Sequence, residues 1–413
     1  SLDDDKLNSS SSRGIGAAGD VKPDVTGVGT SVFSSAMGTG NQGISYSGTS
    51  MSSPEVAGLA ALVRTKHPDW NPEEVKADIM NTADQDLWTT TGHSGIRYAP
   101  NRVGAGRIDA KAALDNLVLA YVTNDPGAVS ASFGPVAVSA QTTLTKTIAV
   151  VNKGAGAVTY SVAYDPLTQV PGATYSVSPS AVTVGPGGTT SITLTLAIDP
   201  SKLRKPLDPT VTRTQAGFPR DYTADASGRL LLTSSGQPTL RVPVYAAPRP
   251  VARMTQPSSL KMPGGKVQTA LLRLKGTQLS RGSGDNAIRS LLAGFELQAR
   301  SGALHNCRSS VATGCIHAGD EKAADLKYIG TTSNAPELTA IKKNPLRKRG
   351  LEYFAITTRG PWRTPALSAR NRMPSSSTPG SRTPTSSSQR WSTHARARSS
   401  TSNRSTTVSG MSM

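Results

Sequence analysis

The chain has 413 residues, 36% of them apolar, and a formal net charge of +18. That length suits about two or three domains, and no apolar run approaches the ~20 residues a helix needs to cross a bilayer. The charge is uneven: residues 1–116 carry ten Lys and Arg against fourteen Asp and Glu, the remainder carries +22, and no acidic residue follows Glu352. The late basic run at Lys342, Lys343 and Arg347–Arg349 has no aromatic platform or recognised fold around it, so no nucleic-acid partner is expected. The chain starts at Ser1 with no signal peptide in view, which reads as a fragment or a processed product.

Residues 1–20 are polar and rich in Gly and Ser, an exposed edge. Lys22 to Ala36 alternates apolar and small residues, as a short strand with its turns does. Gly38 to Ser47 reads as a Gly/Ser loop. It leads into Gly48-Thr49-Ser50-Met51-Ser52-Ser53-Pro54, and Val56 to Val63 then run on as an apolar segment. Pro54 is near enough to the start for a helix to tolerate it. This pattern predicts a sharp turn at Ser50 into a buried helix that runs to about Lys66 and stops at His67-Pro68. A serine there lies where free N–H groups and the helix dipole favour negative charge, as acyl transfer requires. A plain N-cap role for Ser50 is the alternative from the residues alone.

Asn71-Pro72-Glu73-Glu74 is a helix start with a capping box, and Val75, Ile79 and Ala83, with Met80 beside them, mark one face. His67 reads as a helix-end residue and His93 as surface. Gly104 to Leu114 reads as a turn and a last helix, with a boundary near Asn116. Short alternating strands follow at Thr143–Val151, Val158–Tyr164 and Ser191–Ile198. Arg229–Thr233 and Leu240–Ala246 form a hairpin across Ser234-Ser235-Gly236. Such strands with Gly/Pro turns indicate a β-sandwich.

Ala247-Pro248-Arg249-Pro250 reads as a linker. Residues 251–365 are expected to form a second β-rich domain with one short helix, Ala287 to Leu292. Cys307 and Cys315 form either a small disulfide loop or two free thiols. His305 and His317 lie nearby without recognised metal-ligand spacing, so no metal is assigned. Residues 366–413 collapse into Ser, Thr, Pro and Arg, a composition of disorder. The abrupt shift near residues 364–370 suggests a frameshift.

Lys22-Pro23-Asp24-Val25-Thr26, Gly48 to Gly58 and Gly104-Ala105-Gly106-Arg107-Ile108-Asp109 together resemble the C-terminal third of a subtilisin-like serine peptidase domain, a subtilase. The resemblance spans roughly residues 11–116. It implies an α/β domain portion over 1–116, followed at 117–250 by a fibronectin type III-like β-sandwich. Ser50 matches the family nucleophile, its backbone N–H would serve the oxyanion hole, and Gly48, Thr49, Met51 and Pro54 support the motif. Glu55 stands where the family usually has His and Val28 where Pro is usual. Ser52 stands where the α/β-hydrolase elbow needs Gly.

The family's Asp and His both precede the serine. No histidine precedes Ser50, and Asp3, Asp4, Asp5, Asp20 and Asp24 lack the family's Asp-Thr-Gly or Asp-Ser-Gly context. The upstream Asn that donates to the oxyanion in the family is not identifiable either. The resemblance therefore implies a serine endopeptidase acting on protein or peptide substrates, secreted or at the cell surface, represented here without part of its triad. No cofactor is implied, and calcium sites are not readable. The alternative is a non-catalytic remnant whose β-sandwich binds a protein or a surface.

Overall fold

The computed structural model describes residues 5–16, 19–215, 217–220, 222–261, 264, 270–290, 293–309, 314–316, 322–334 and 351–360. The expected tail at 366–413, the basic run at 342–349 and His317 lie outside these. Two compact units emerge, one of Ser1–Arg253 with Thr277–Ser290 and the other of Met254–Gly276 with Leu291–Met413. The first runs across the expected boundary at residue 116.

The first unit begins with two short hairpins. Gly14–Ile15 (β1) pairs with Val21–Lys22 (β2), and Val32–Ser35 (β3) pairs with Gly43–Tyr46 (β4). The stretch expected to be a loop before Ser50 thus contains a strand. Its partner is fixed by Gly43, where an added Cβ would lie 2.0 Å from the Phe33 ring. Helix α1 spans Thr49–Lys66 and α2 spans Pro72–Asn81. The α2 start carries both halves of the expected box: Glu74 N–H donates to Asn71 Oδ1 at 2.9 Å, and Asn71 N–H donates to Glu74 Oε2 at 2.9 Å. A hairpin of Trp88–Thr90 (β5) and Ser94–Arg97 (β6), then helices Pro100–Val103 (α3) and Ala110–Asp115 (α4), complete this part.

Two sheets follow. Their strands are Val118–Val122 (β7), Ala131–Val138 (β8), Thr142–Asn152 (β9), Val158–Thr168 (β10), Ala173–Ser178 (β11), Ala181–Val184 (β12) and Thr189–Ile198 (β13). A small hairpin, Thr214–Gln215 (β14) and Phe218–Pro219 (β15), precedes Ala226–Thr233 (β16) and Leu240–Pro250 (β17). The sheet orders are β12-β10-β16-β17-β8 and β11-β13-β9-β7. Side chains alternate across each strand, and Tyr160, Ile192, Leu194, Leu230, Leu232 and Val242 close between the sheets. The expected linker at 247–250 is strand: β17 continues to Pro250, paired in parallel with β8 from Val244↔Ala131 to Pro250↔Val138. Pro248 and Pro250 lack N–H groups, yet their carbonyls still accept.

Strand β7 joins the two parts. Val118, Ala120 and Val122 enter the sandwich core, while Leu119 enters the helical core with Leu59, Val63, Trp70, Val75, Ile79 and Met80. Asn81 at the end of α2 holds the β7 backbone from both sides. Its Nδ2 donates to Ala120 O at 2.9 Å and to Arg241 O at 3.0 Å, and Ala120 N–H donates to its Oδ1 at 2.7 Å.

Short strands at Arg253–Thr255 (β18) and Lys275–Thr277 (β19) mark the changeovers between units, and Ser280–Arg281 (β20) pairs with Ile288–Arg289 (β21). Of the helix expected over 287–292, residues 291–292 lie outside the described ones; at 288–289 the chain forms this strand, after a 3₁₀ turn at Gly284–Asn286, because the apolar run is too short to propagate a helix. The second unit holds a three-stranded sheet of Glu296–Arg300 (β22), Leu326–Ser333 (β23) and Glu352–Thr358 (β24). Cys307 and Cys315 are joined by a disulfide in that unit.

Candidate active site

Ser50 sits in the first turn of α1, where the turn is made by glycines. Gly48 precedes it at φ 154°, ψ 167°, a conformation glycine reaches at little cost. Gly48 N–H donates to Gly29 O at 2.7 Å, and Met51 N–H returns to Gly48 O at 3.0 Å. A Cβ on Gly29 would lie 2.3 Å from Ser52 Oγ and 2.7 Å from Gly48 O, so only glycine lets this loop lie against the helix start. Ser31, at φ 54°, donates its N–H to Ser47 Oγ at 2.8 Å and closes the turn from the other side.

Ser50 is exposed. Met51 N–H is taken by Gly48 O, while the N–H groups of Thr49 and Ser50 have no carbonyl partner within the helix. Pro54, four residues on, carries no N–H for the Ser50 carbonyl, which loosens the ladder at this turn. Glu55 lies in the next turn. Burial raises its carboxyl above the usual range, opposed by the Val28 N–H that bonds to it. Glu55 therefore ties the Gly27–Thr30 loop to the helix.

The helix itself departs from the buried element expected. Only Leu59 and Val63 are buried. Ser53, Pro54, Ala57, Gly58, Ala61 and Leu62 form an exposed face, with Leu62 at 53% exposure. In the preceding hairpin and its turn, Phe33 is 73%, Tyr46 56% and Met37 99% exposed. The side chains have the size and polarity of a buried helix, but the described residues supply cover on one side only.

Among the described residues, no imidazole or carboxylate is hydrogen-bonded to Ser50. His67 caps the far end of α1. Seventeen residues at 1.5 Å rise put it about 25 Å away along the axis. Its ring stacks on Trp70 at 4.0 Å, and burial, reinforced by Lys66, lowers its pKa. His93 Nε2 bonds Asp5 Oδ2 at 2.8 Å, and Asp5 also pairs with Arg107 Nε at 2.5 Å. Burial raises the Asp5 carboxyl, but these two partners outweigh it and hold the pKa low. Asp24 pairs with Lys22 at 2.9 Å and Lys76 at 3.5 Å. Among the described residues, none of these carboxylates orients an imidazole toward Ser50. The Asp5–His93–Arg107 cluster was not found from sequence, since its members lie 88 and 102 residues from Asp5. No group of three or more metal-ligating side chains occurs among the described residues.

The exposed serine after the glycine turn lies inside the segment that the sequence comparisons match. Residues 2–112 match the Subtilase family. Over 114 residues the chain is 32% identical to subtilisin-like protease SBT2.6 of Arabidopsis thaliana, covering 23% of this chain and 14% of that protein. It is 35% identical over 123 residues to serine protease AprX of Bacillus subtilis, covering 27% of this chain and 26% of AprX. It is 33% identical over 107 residues to the CO(2)-response secreted protease of Arabidopsis thaliana, covering 23% and 14% respectively. The chain thus spans about a quarter or less of the length of the curated relatives it matches. Among solved structures, the FixG-related protein from Vibrio parahaemolyticus aligns over 32% of this chain and 97% of its own, at 16% identity and a TM-score of 0.21, too low to carry an argument.

Proposed function

We propose that Ser50 is the nucleophile of a serine endopeptidase that cleaves peptide bonds through an acyl-enzyme. The Asp and His of that triad, and the second oxyanion donor, lie outside this sequence. The observation that carries this reading is the turn at Gly48–Ser50. It exposes one hydroxyl at the N-terminus of the helix, and Gly29 is pressed against the turn where no side chain fits. The hydroxyl would attack the substrate carbonyl as a histidine takes its proton. The Ser50 N–H would receive the developing oxyanion.

The uncovered face of α1 supports the same reading. Its small residues suit close packing against a sheet, and such a sheet would carry the missing groups. Within this reading Gly48, Thr49, Met51 and Pro54 shape the turn, and no cofactor takes part. The disulfide in the second unit suits a secreted or cell-surface setting. The division at 117–250 and its likeness to fibronectin type III domains belong to the proposal as well.

The test is turnover of a fluorogenic peptide by a protein that carries this chain together with upstream residues bearing the Asp and His motifs. Turnover that Ser50→Ala abolishes supports the proposal. Turnover that survives Ser50→Ala contradicts it. Absence of turnover in the extended protein favours the non-catalytic binding module.

A further inference from the structure

Five charged side chains meet where the helical part of the first unit joins its sandwich. Asp86, in the loop after α2, accepts on one oxygen, Oδ1, from Arg229 Nη1 at 2.9 Å and Arg241 Nη1 at 2.8 Å. Its other oxygen accepts from Arg97 Nη1 at 3.2 Å. Arg97 makes a two-pronged pair with Asp165 at 2.8 and 3.0 Å. The cluster therefore holds three guanidiniums against two carboxylates.

The surplus is not at the surface. Arg229 is 1% exposed. Its Nε and Nη2, and the Nε of Arg241, are buried and meet no acceptor among the described residues. Arg241 spends another bond on Ala105 O at 3.3 Å. Burial, with Arg241 and Arg97 as like charges and Asp86 and Asp165 opposing, pulls Arg229 down to about 10. A guanidinium does not shed its proton near neutrality, so an under-compensated buried arginine calls for further negative charge.

We propose that this cluster binds a small monovalent anion of the halide class, chloride above all, held by Arg229 Nε and Nη2 with Arg241 Nε. The anion brings the cluster to three charges of each sign and supplies the acceptor that the buried Arg229 and Arg241 donors lack. The charge count calls for a single negative charge, and backbone packs closely beside the cluster: a Cβ at Gly228 would lie 2.2 Å from Asp165 O and 2.8 Å from Tyr164 Oη, and one at Gly106 would lie 2.4 Å from Ala83 O. Because Asp86 and Arg97 belong to the helical part and Arg229 and Arg241 to the sandwich, the bound halide fastens one to the other. This inference is independent of the role given to Ser50.

The test is the thermal midpoint of the full chain in sodium chloride, bromide or gluconate at one ionic strength. A saturable rise of a few degrees in halide over gluconate is expected, from linkage to an anion that binds only the folded state. Arg241→Gln and Arg97→Gln each leave two cations against two anions, and each is expected to remove the halide-dependent rise. Arg97 is the more exposed of the two, so its variant keeps the test open if Arg241→Gln does not fold. Equal midpoints in halide and gluconate overturn the proposal, and so does a halide response undiminished in Arg97→Gln.

Discussion

Arg229 of the sandwich, 1% exposed, donates to Asp86 of the helical part at 2.9 Å across 143 positions of sequence. A buried pair of this kind adds little net stability when intact, but losing one partner leaves the other charged and unsolvated. Asp86→Asn is expected to destabilise the first unit by about 3–5 kcal/mol in denaturant unfolding. The same geometry bears on a sandwich expressed alone over 117–250. Without Asp86 and Asn81 it loses the acceptor for Arg229 and the side chain that bonds Ala120 at both N–H and carbonyl. Its unfolding midpoint is expected to fall below that of the full chain.

Asp78 on α2 is buried. Its Oδ1 accepts from Asn116 Nδ2 at 2.8 Å, and its Oδ2 has no partner among the described residues. Burial pushes its pKa up to about 7, against the Asn116 bond and the Lys66 charge. A carboxyl raised on folding contributes fully while protonated in both states. That contribution is lost as pH climbs from the unfolded value near 4 through about 7. Asp78→Asn is expected to gain stability over wild type across this window, by up to about 4 kcal/mol at pH 8, and to gain least at pH 4. Urea midpoints of both proteins from pH 4 to 8 measure the difference.

The box at Asn71 satisfies two backbone donors reciprocally. Asn71→Ala is expected to cost about 1 kcal/mol and Asn71→Gly only a few tenths. Differential scanning calorimetry resolves the two.

The capping box was legible in the sequence because its chemistry is local, three residues apart. Five of the nine sandwich strands, β9, β10, β13, β16 and β17, were legible because alternation is local too, whereas β7, β8, β11 and β12 were not read. The exposure of α1 was not. Val56 to Val63 have the composition of a buried helix, and composition does not say whether the covering partner is on the same chain. The continuation of β17 through Pro248 and Pro250 was missed because prolines ordinarily punctuate, and parallel pairing with β8 overrode them. The Asp86 cluster had no sequence signal. Its members are ordinary charges scattered from residue 86 to 241, gathered only by the fold. Around Ser50, the glycine turn was readable and the tie from Glu55 to Val28 was not.

The uncovered face of α1 makes its own prediction. Leu62, Phe33, Met37 and Tyr46 expose enough apolar surface to drive self-association. The chain is expected to bind a hydrophobic dye and to elute as mixed oligomers. Leu62→Glu with Met37→Ser is expected to shift it toward monomer in size-exclusion chromatography without lowering the unfolding midpoint, since neither side chain is buried.

The role of Ser50 is tested most directly by covalent labelling with a fluorophosphonate probe, followed by mapping of the modified peptide. The chain as it stands is expected to label poorly, because a serine without a base attacks slowly. The same chain joined to residues bearing the Asp and His motifs is expected to label strongly on Ser50, and Ser50→Ala to abolish the signal. Strong labelling at another residue, or labelling of the joined protein that survives Ser50→Ala, would contradict the account.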